Sequence, residues 1–328
     1  MFPHLRRCLG TILFAASCGL APDVEATQSV PAPATTQSTP SETSSPVERV
    51  ATIGASATAG FGVYFWRIED DRPVRDSTTL AKYLRAASGE TIVVSDLGTG
   101  QFFMNPAGIG RMQVDRAIAS EPDLVIGIDF IFWFCYGTVG PDARRMRTVE
   151  DRLAMLERGL EILGDITDAG IPLLVGDVPD MSAARGRILA ASQVPDPRTR
   201  NLMNTRIRAW VAEHPEAELF SLDRLQRLLV SDEPIEVDGE TLDELERALL
   251  VQKDRLHPTL GGLAVIVDSV VRRAREHPLL TGRMPEIDTG YAAGIRRLTG
   301  FPSLLDQLTI GDGETGSSSV PEPSSPGR

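Results

Sequence analysis

The stretch Val50-Ala51-Thr52-Ile53-Gly54-Ala55-Ser56-Ala57-Thr58-Ala59-Gly60-Phe61-Gly62 decides the reading of the chain. Val50 to Ile53 is a short apolar run rich in β-formers that stops at Gly54, with Ser56 two residues later. Such a run reads as a buried strand, and the small-residue segment after it as a tight turn at its carboxyl end. In open α/β sheets ligands bind outside the carboxyl ends of the strands, so Ser56 stands where a nucleophile is useful. Small residues after a first strand also cradle a phosphate or simply make a turn, so this serine acquires meaning only from the rest of the chain.

The far end supplies Asp254-Arg255-Leu256-His257-Pro258. A carboxylate three residues before a histidine fits on one short turn. There it fixes the imidazole tautomer and stabilises the imidazolium formed when histidine takes a proton from serine. The chain has four histidines, His4, His214, His257 and His277. His4 lies in an amino-terminal leader. His214 and His277 each follow a glutamate and precede a proline at the end of a helix-like stretch, which reads as a solvent-facing helix terminus favoured by the dipole. His257 is left for chemistry.

Between these ends, apolar runs alternate with helical patterns. Leu80 to Ala87 reads as an amphipathic helix and Thr91 to Ser95 as a second strand, leading into Asp96-Leu97-Gly98-Thr99-Gly100. Arg111 to Ala119 reads as a helix and Asp123 to Ile128 as a third strand, with Asp129 at its end and the aromatic run Phe130 to Tyr136 beyond. That run reads as core packing or as an acyl-binding wall. Thr148 to Ala169 is the longest helical pattern, stopped by Gly170; Pro172 to Gly176 is a fourth strand, feeding a loop with Asp177 and Asp180. Either aspartate borders a cleft or serves the turn. Arg198 to Glu213 is helical and Ala217 to Leu222 a fifth strand. Leu225 to Gln252 is insertion-like, with a turn at 236–240 and an acidic helix from Leu242 to Val251 whose carboxylates fit no calcium loop. Leu260 to Glu276 is the last helix, with Thr259 as its N-cap. Phe61 to Asp76 reads as irregular, with Tyr64, Phe65 and Trp66 either lining a pocket or packing on a strand. About five strands alternating with helices imply a parallel, three-layer α/β/α domain over 48–310.

Composition bounds the partners. The chain of 328 residues is 42% hydrophobic and carries a net charge of −12, a balance that argues against a nucleic-acid partner, since phosphate binding wants a basic face. Arg6 and Arg7, the apolar Leu9 to Ala16, and the small residues before Cys18 read as a secretory leader over 1–18. Cys18 sits where a lipobox would carry its lipid; cleavage at a nearby small residue is the other reading. Residues 19–47 and 311–328 are Pro/Ser/Thr/Glu/Gly-rich and read as a disordered tether and tail. Cys135 stands alone and reads as a buried apolar residue.

The early Gly54-x-Ser56, the glycine turn after the second strand and the late Asp254-x-x-His257-Pro258 resemble the SGNH/GDSL hydrolases. The resemblance spans roughly Val50 to His277. It departs at Ala55, where the family usually has aspartate. It breaks at Gly127-Ile128-Asp129-Phe130, where the family's Gly-x-Asn-Asp supplies an oxyanion donor and this chain has no asparagine. The resemblance implies a flavodoxin-like strand order and an acyl-enzyme esterase with Ser56 as nucleophile, His257 as base and Asp254 orienting it. Gly98, or alternatively Gly100, would give an oxyanion N–H. Asp129 or a neighbouring backbone N–H stands in for the asparagine, or else Asp129 only caps its turn. No metal or cofactor is implied. The substrate is a small-molecule, lipid or glycan ester, taken by a monomer, tethered through Cys18 or secreted. From another class, a weak or inactive domain of this type would bind a glycan or lipid at the cell envelope.

Overall fold

The computed structural model describes residues 45–140, 144–231, 233–237 and 239–306. The leader, nearly all of the tether and the carboxyl-terminal tail lie outside the described residues. Strand β1 (Arg49–Thr52) is followed by a hairpin of β2 (Tyr64–Glu69) and β3 (Arg72–Ser77), then α1 (Leu80–Ala87) and β4 (Val93–Asp96). Next come α2 (Pro106–Ala119), β5 (Leu124–Gly127), α3 (Phe132–Tyr136), α4 (Val149–Asp168), β6 (Leu173–Gly176), α5 (Pro197–Glu213) and β7 (Ala217–Phe220). The chain continues through α6 (Leu222–Val230), β8 (Glu236–Val237), β9 (Glu240–Thr241), α7 (Glu244–Ala248), α8 (Leu260–Glu276) and α9 (Tyr291–Thr299).

Five strands form one parallel sheet in the order β4-β1-β5-β6-β7. This is the flavodoxin-like doubly wound order, in which β1 lies at the switch point between strands that continue in opposite directions. The alternation of side chains along each strand feeds two cores. Val50, Leu124, Ile126 and Leu174 pack with α1, α6, α8 and α9 on one face. Ala51, Val125, Leu173 and Val175 pack with α2, α3, α4 and α5 on the other. Both faces are therefore covered, and the central strands β5 and β6 read as continuous apolar runs because every residue in them is buried.

Thr52 pairs in register with Asp96 on one neighbour and Ile126 on the other. The turns carrying Ser56, Gly98 and Asp129 thus leave the same sheet edge together.

Several expectations are corrected. The stretch 61–76 is not irregular: Tyr64–Ser77 forms an antiparallel hairpin. Its two-residue turn, Asp70-Asp71, has φ of +48° and +60°, the left-handed pair of a type I′ turn, made without the glycine that usually announces it. The acidic helix is shorter than its pattern, Glu244–Ala248. Val47 belongs to the domain rather than the tether: it is buried, and its N–H donates to the Arg283 carbonyl at 2.9 Å. His277 is not in solvent. It is fully buried between α8 and the following turn, with Nε2 2.9 Å from the Glu216 carbonyl and Nδ1 accepting from Leu279 N–H. His214, half-buried at the end of α5, has Nδ1 2.7 Å from the Trp210 carbonyl.

Candidate active site

The turn after β1 is built around two polar side chains, Asp129, which stands out at the end of its strand, and Gln113, for which the sequence gives no signal. Gln113 of α2, buried, grips both backbone groups of Gly54. Its Oε1 accepts from Gly54 N–H at 2.8 Å, and its Nε2 donates to Gly54 O at 3.0 Å. Asp129, also buried, accepts from Ala55 N–H (2.9 Å), Ala57 N–H (2.8 Å), Thr58 N–H (3.2 Å) and the Thr58 hydroxyl (2.6 Å). Burial pushes the Asp129 pKa up, and these donors oppose that rise. Gly54 itself sits at φ +147°, and a Cβ there would lie 2.0 Å from Asp129 Oδ1. The glycine is required both by its dihedral and by the approach of the carboxylate.

Asp129 is therefore the cap of the Ser56 turn. Both its oxygens accept backbone N–H groups, so it offers no donor in place of an asparagine. Ser56, between the residues it fixes, is half-buried. Neither Ser56 N–H nor Gly98 N–H makes a hydrogen bond within the described residues. Gly98 lies so close to the Ser56 turn that a Cβ would meet Thr58 Cγ2 at 2.7 Å and Ala59 N at 3.2 Å. A side chain there would push the two turns apart. Gly100, the alternative, stands further out beside Phe61.

The third component comes from the loop before α8. Asp254 Oδ2 lies 2.7 Å from His257 Nδ1, while Asp254 Oδ1 accepts from Leu256 N–H (2.9 Å) and His257 N–H (3.1 Å). A carboxylate has only lone pairs to offer, so the ring proton sits on Nδ1 and Nε2 carries the free pair. Burial tends to raise the Asp254 pKa, but the hydrogen bonds from His257 and Leu256 outweigh it and hold the carboxyl below its ordinary value. The tight turn places Arg255 at φ +62°, a strained value for a residue with a long side chain.

Gln252 ties this loop to the first. Its Nε2 donates to Phe61 O and to Pro258 O, both at 2.8 Å, and its N–H donates to His257 O at 2.9 Å. The Phe61 ring then rests on the His257 imidazole, 4.7 Å between centroids.

Ser56 and His257 line the same two cavities, one inner and one outer. No hydrogen bond joins them here; such bonds are often long before substrate binds. The other aromatics divide. Phe65 packs into the core and exposed Tyr64 lies under Arg75, so neither lines the cleft. Phe130 and Phe134 are core and touch Phe102, whereas Phe132 borders the inner cavity and Trp133 the outer. Asp177 and Asp180 line neither cavity. Asp177 accepts from Asp223 N–H and the Ser221 hydroxyl, and Asp180 accepts from Ser182 N–H and pairs with Arg200. Cys135 is fully buried.

The molecule is a three-layer α/β/α protein with a serine, a histidine and an aspartate gathered at the switch point of a parallel sheet. No family model matches the chain, and no curated protein matches it. Among solved structures it is similar to a protein described as a GDSL-like lipase from Parabacteroides merdae, with 11% identity, a TM-score of 0.46, and 70% of this chain against 96% of that one. It is also similar to Axe2, an acetylxylan esterase from Geobacillus stearothermophilus, with 15% identity, a TM-score of 0.42, and 70% of this chain against 94% of that one. The fold assignment stands on the chain's own sheet order.

Proposed function

We propose that the protein is a serine ester hydrolase of the SGNH/GDSL type. The observation that carries this is the Asp254–His257 pair, 2.7 Å apart, which leaves the second ring nitrogen free in the wall of the cleft that also holds Ser56. In this reading His257 Nε2 takes the proton of Ser56 as its Oγ attacks the ester carbonyl. The oxyanion is held by the unengaged N–H groups of Ser56 and Gly98. Collapse expels the alcohol, which receives the proton from His257, and water then attacks the acyl-enzyme with His257 again as base. The absent asparagine removes one donor, a loss of about 10²–10³ in rate for an otherwise complete site. The leader and Cys18 support export and tethering at a membrane surface.

Labelling with a fluorophosphonate, mapped by mass spectrometry, tests nucleophile activation without a guess at the substrate. An adduct on Ser56 that disappears in His257→Ala is the expected result. A folded protein that takes no adduct, while an active esterase alongside it is labelled, overturns the hydrolase reading in favour of a binding domain.

A further inference from the structure

The cavities beside Ser56 differ in what they admit. The inner one measures about 40 Å³ and the outer about 340 Å³. The inner admits no more than a few water-sized groups, and the outer is several times larger. The outer walls are Phe61, Phe103, Trp133, Ile188, Leu189 and Leu256, and no Asp, Glu, Lys or Arg lines it. Besides Ser56 and His257 its polar groups are the Gln193 amide, whose Oε1 already accepts from Ala190 N–H, and the Trp133 indole N–H, which is buried. Phe61, Phe103 and Ile188 leave 50%, 55% and 44% of their surface in water, and Phe103 lies against Trp133 at 5.7 Å between centroids.

A charged headgroup meets no counter-ion in this cleft. Sugar hydroxyls meet few partners beyond the Gln193 amide, and a buried polar group without one is costly. An aliphatic or aromatic group instead covers the exposed rims of three apolar residues. An acetyl group fills only a small part of this volume and leaves those rims wet.

Resting on the reading of Ser56 as the nucleophile, we propose that the substrate is an uncharged ester with one apolar arm of about six to eight carbons, seated in the outer cleft. O-acetylated sugars are the competing class. Each methylene covered is worth about fourfold in affinity, so four additional methylenes set a ceiling of roughly 200-fold, reduced at a cleft that stays open at its rim.

The full chain carrying Ser56→Ala, which cannot turn over, is titrated calorimetrically with ethyl hexanoate, hexyl acetate, ethyl acetate and methyl 2-O-acetyl-xyloside. Binding of at least one six-carbon ester about tenfold tighter than ethyl acetate is expected, weakened at least threefold by adding Phe103→Ala. Two of the three rim side chains, Phe103 and Ile188, are exposed and can be truncated without unfolding, and Ile188→Ala serves as the second variant. Equal binding of the acetate and six-carbon esters, tighter binding of the xyloside, or no binding at all overturns the proposal. Labelling of the wild-type protein separates the two readings. A preference for the six-carbon ester with no adduct at Ser56 removes the nucleophile and keeps the cleft. An adduct without that preference removes the cleft and keeps the nucleophile.

Discussion

At the scale of single residues, the position of Ser56 is held by side chains that do no chemistry themselves. Asp129 collects four donors from the three residues Ala55, Ala57 and Thr58, and Gln113 locks Gly54 from the other side. This bears on the missing asparagine. Restoring it at this position with Asp129→Asn would place an NH₂ group against backbone N–H donors. The variant is expected to lose about 2–4 kcal/mol of stability, since hydrogen bonds to a charged acceptor are worth about 1.5–3 kcal/mol each. The fluorophosphonate labelling rate should fall at least tenfold. Urea unfolding and a labelling time course check this, and a variant that labels as fast as wild type at unchanged stability would sink it. Gln252 does the same service between loops, joining the Phe61 backbone to the turn that carries His257. Sequence offered a weak hint for it, only that it stands two residues before Asp254.

At the scale of elements, the helices are set by their ends. Thr148 accepts from Asp151 N–H at 3.1 Å, and the Asp151 carboxylate accepts from Thr148 N–H at 2.9 Å, a reciprocal capping box that starts α4. Thr148→Ala should cost about 1 kcal/mol, and lower Tm by about 2–4 °C. Labelling at Ser56 should stay unchanged, because no residue of α4 lines the cleft. Calorimetry and the labelling assay together check this; a loss of labelling would mean that α4 supports the site more directly than its packing indicates. The hairpin β2–β3 shows the opposite case. Its turn uses two aspartates in the left-handed region, which tolerate it better than most residues, so the usual glycine signal is absent and the strands were hidden.

At the scale of the whole molecule, buried and paired carboxylates give the stability curve its shape. Asp254 has a folded pKa below its ordinary value. Its contribution is therefore complete above about pH 4 and is lost as pH falls through the folded value. Asp129 and Asp177 are raised, chiefly by burial. Their contribution has the opposite sign, present at low pH and lost as pH rises through their folded values. Asp254→Asn should accordingly be less stable than wild type near neutrality. The gap should close as pH drops below about 4, where the wild-type carboxyl is protonated too. Urea midpoints across a pH series measure this, and a gap that widens toward acid would contradict the assigned shift. At neutral pH the same variant should lower labelling by about 10³–10⁴, since the imidazole loses its tautomer control.

The sequence by itself determined the layers and the pieces of the site that are local. Apolar runs ended by turn residues mark β1, β5, β6 and β7, and they are legible because both faces of a parallel strand are buried. Asp254 and His257 are legible as a pair because three residues separate them and one turn brings them together. Only the tertiary structure decided the rest. Gln113 meets Gly54 across 59 residues, and Asp129 meets Thr58 across 71. Which aromatics face the cleft was likewise open: Phe61 lies on His257 while Phe65, four residues on, is core. Periodicity and capping are properties of neighbours along the chain. The contacts that hold Ser56 and shape its cleft depend on how turns from separate strands meet at one sheet edge, and no local pattern encodes that meeting.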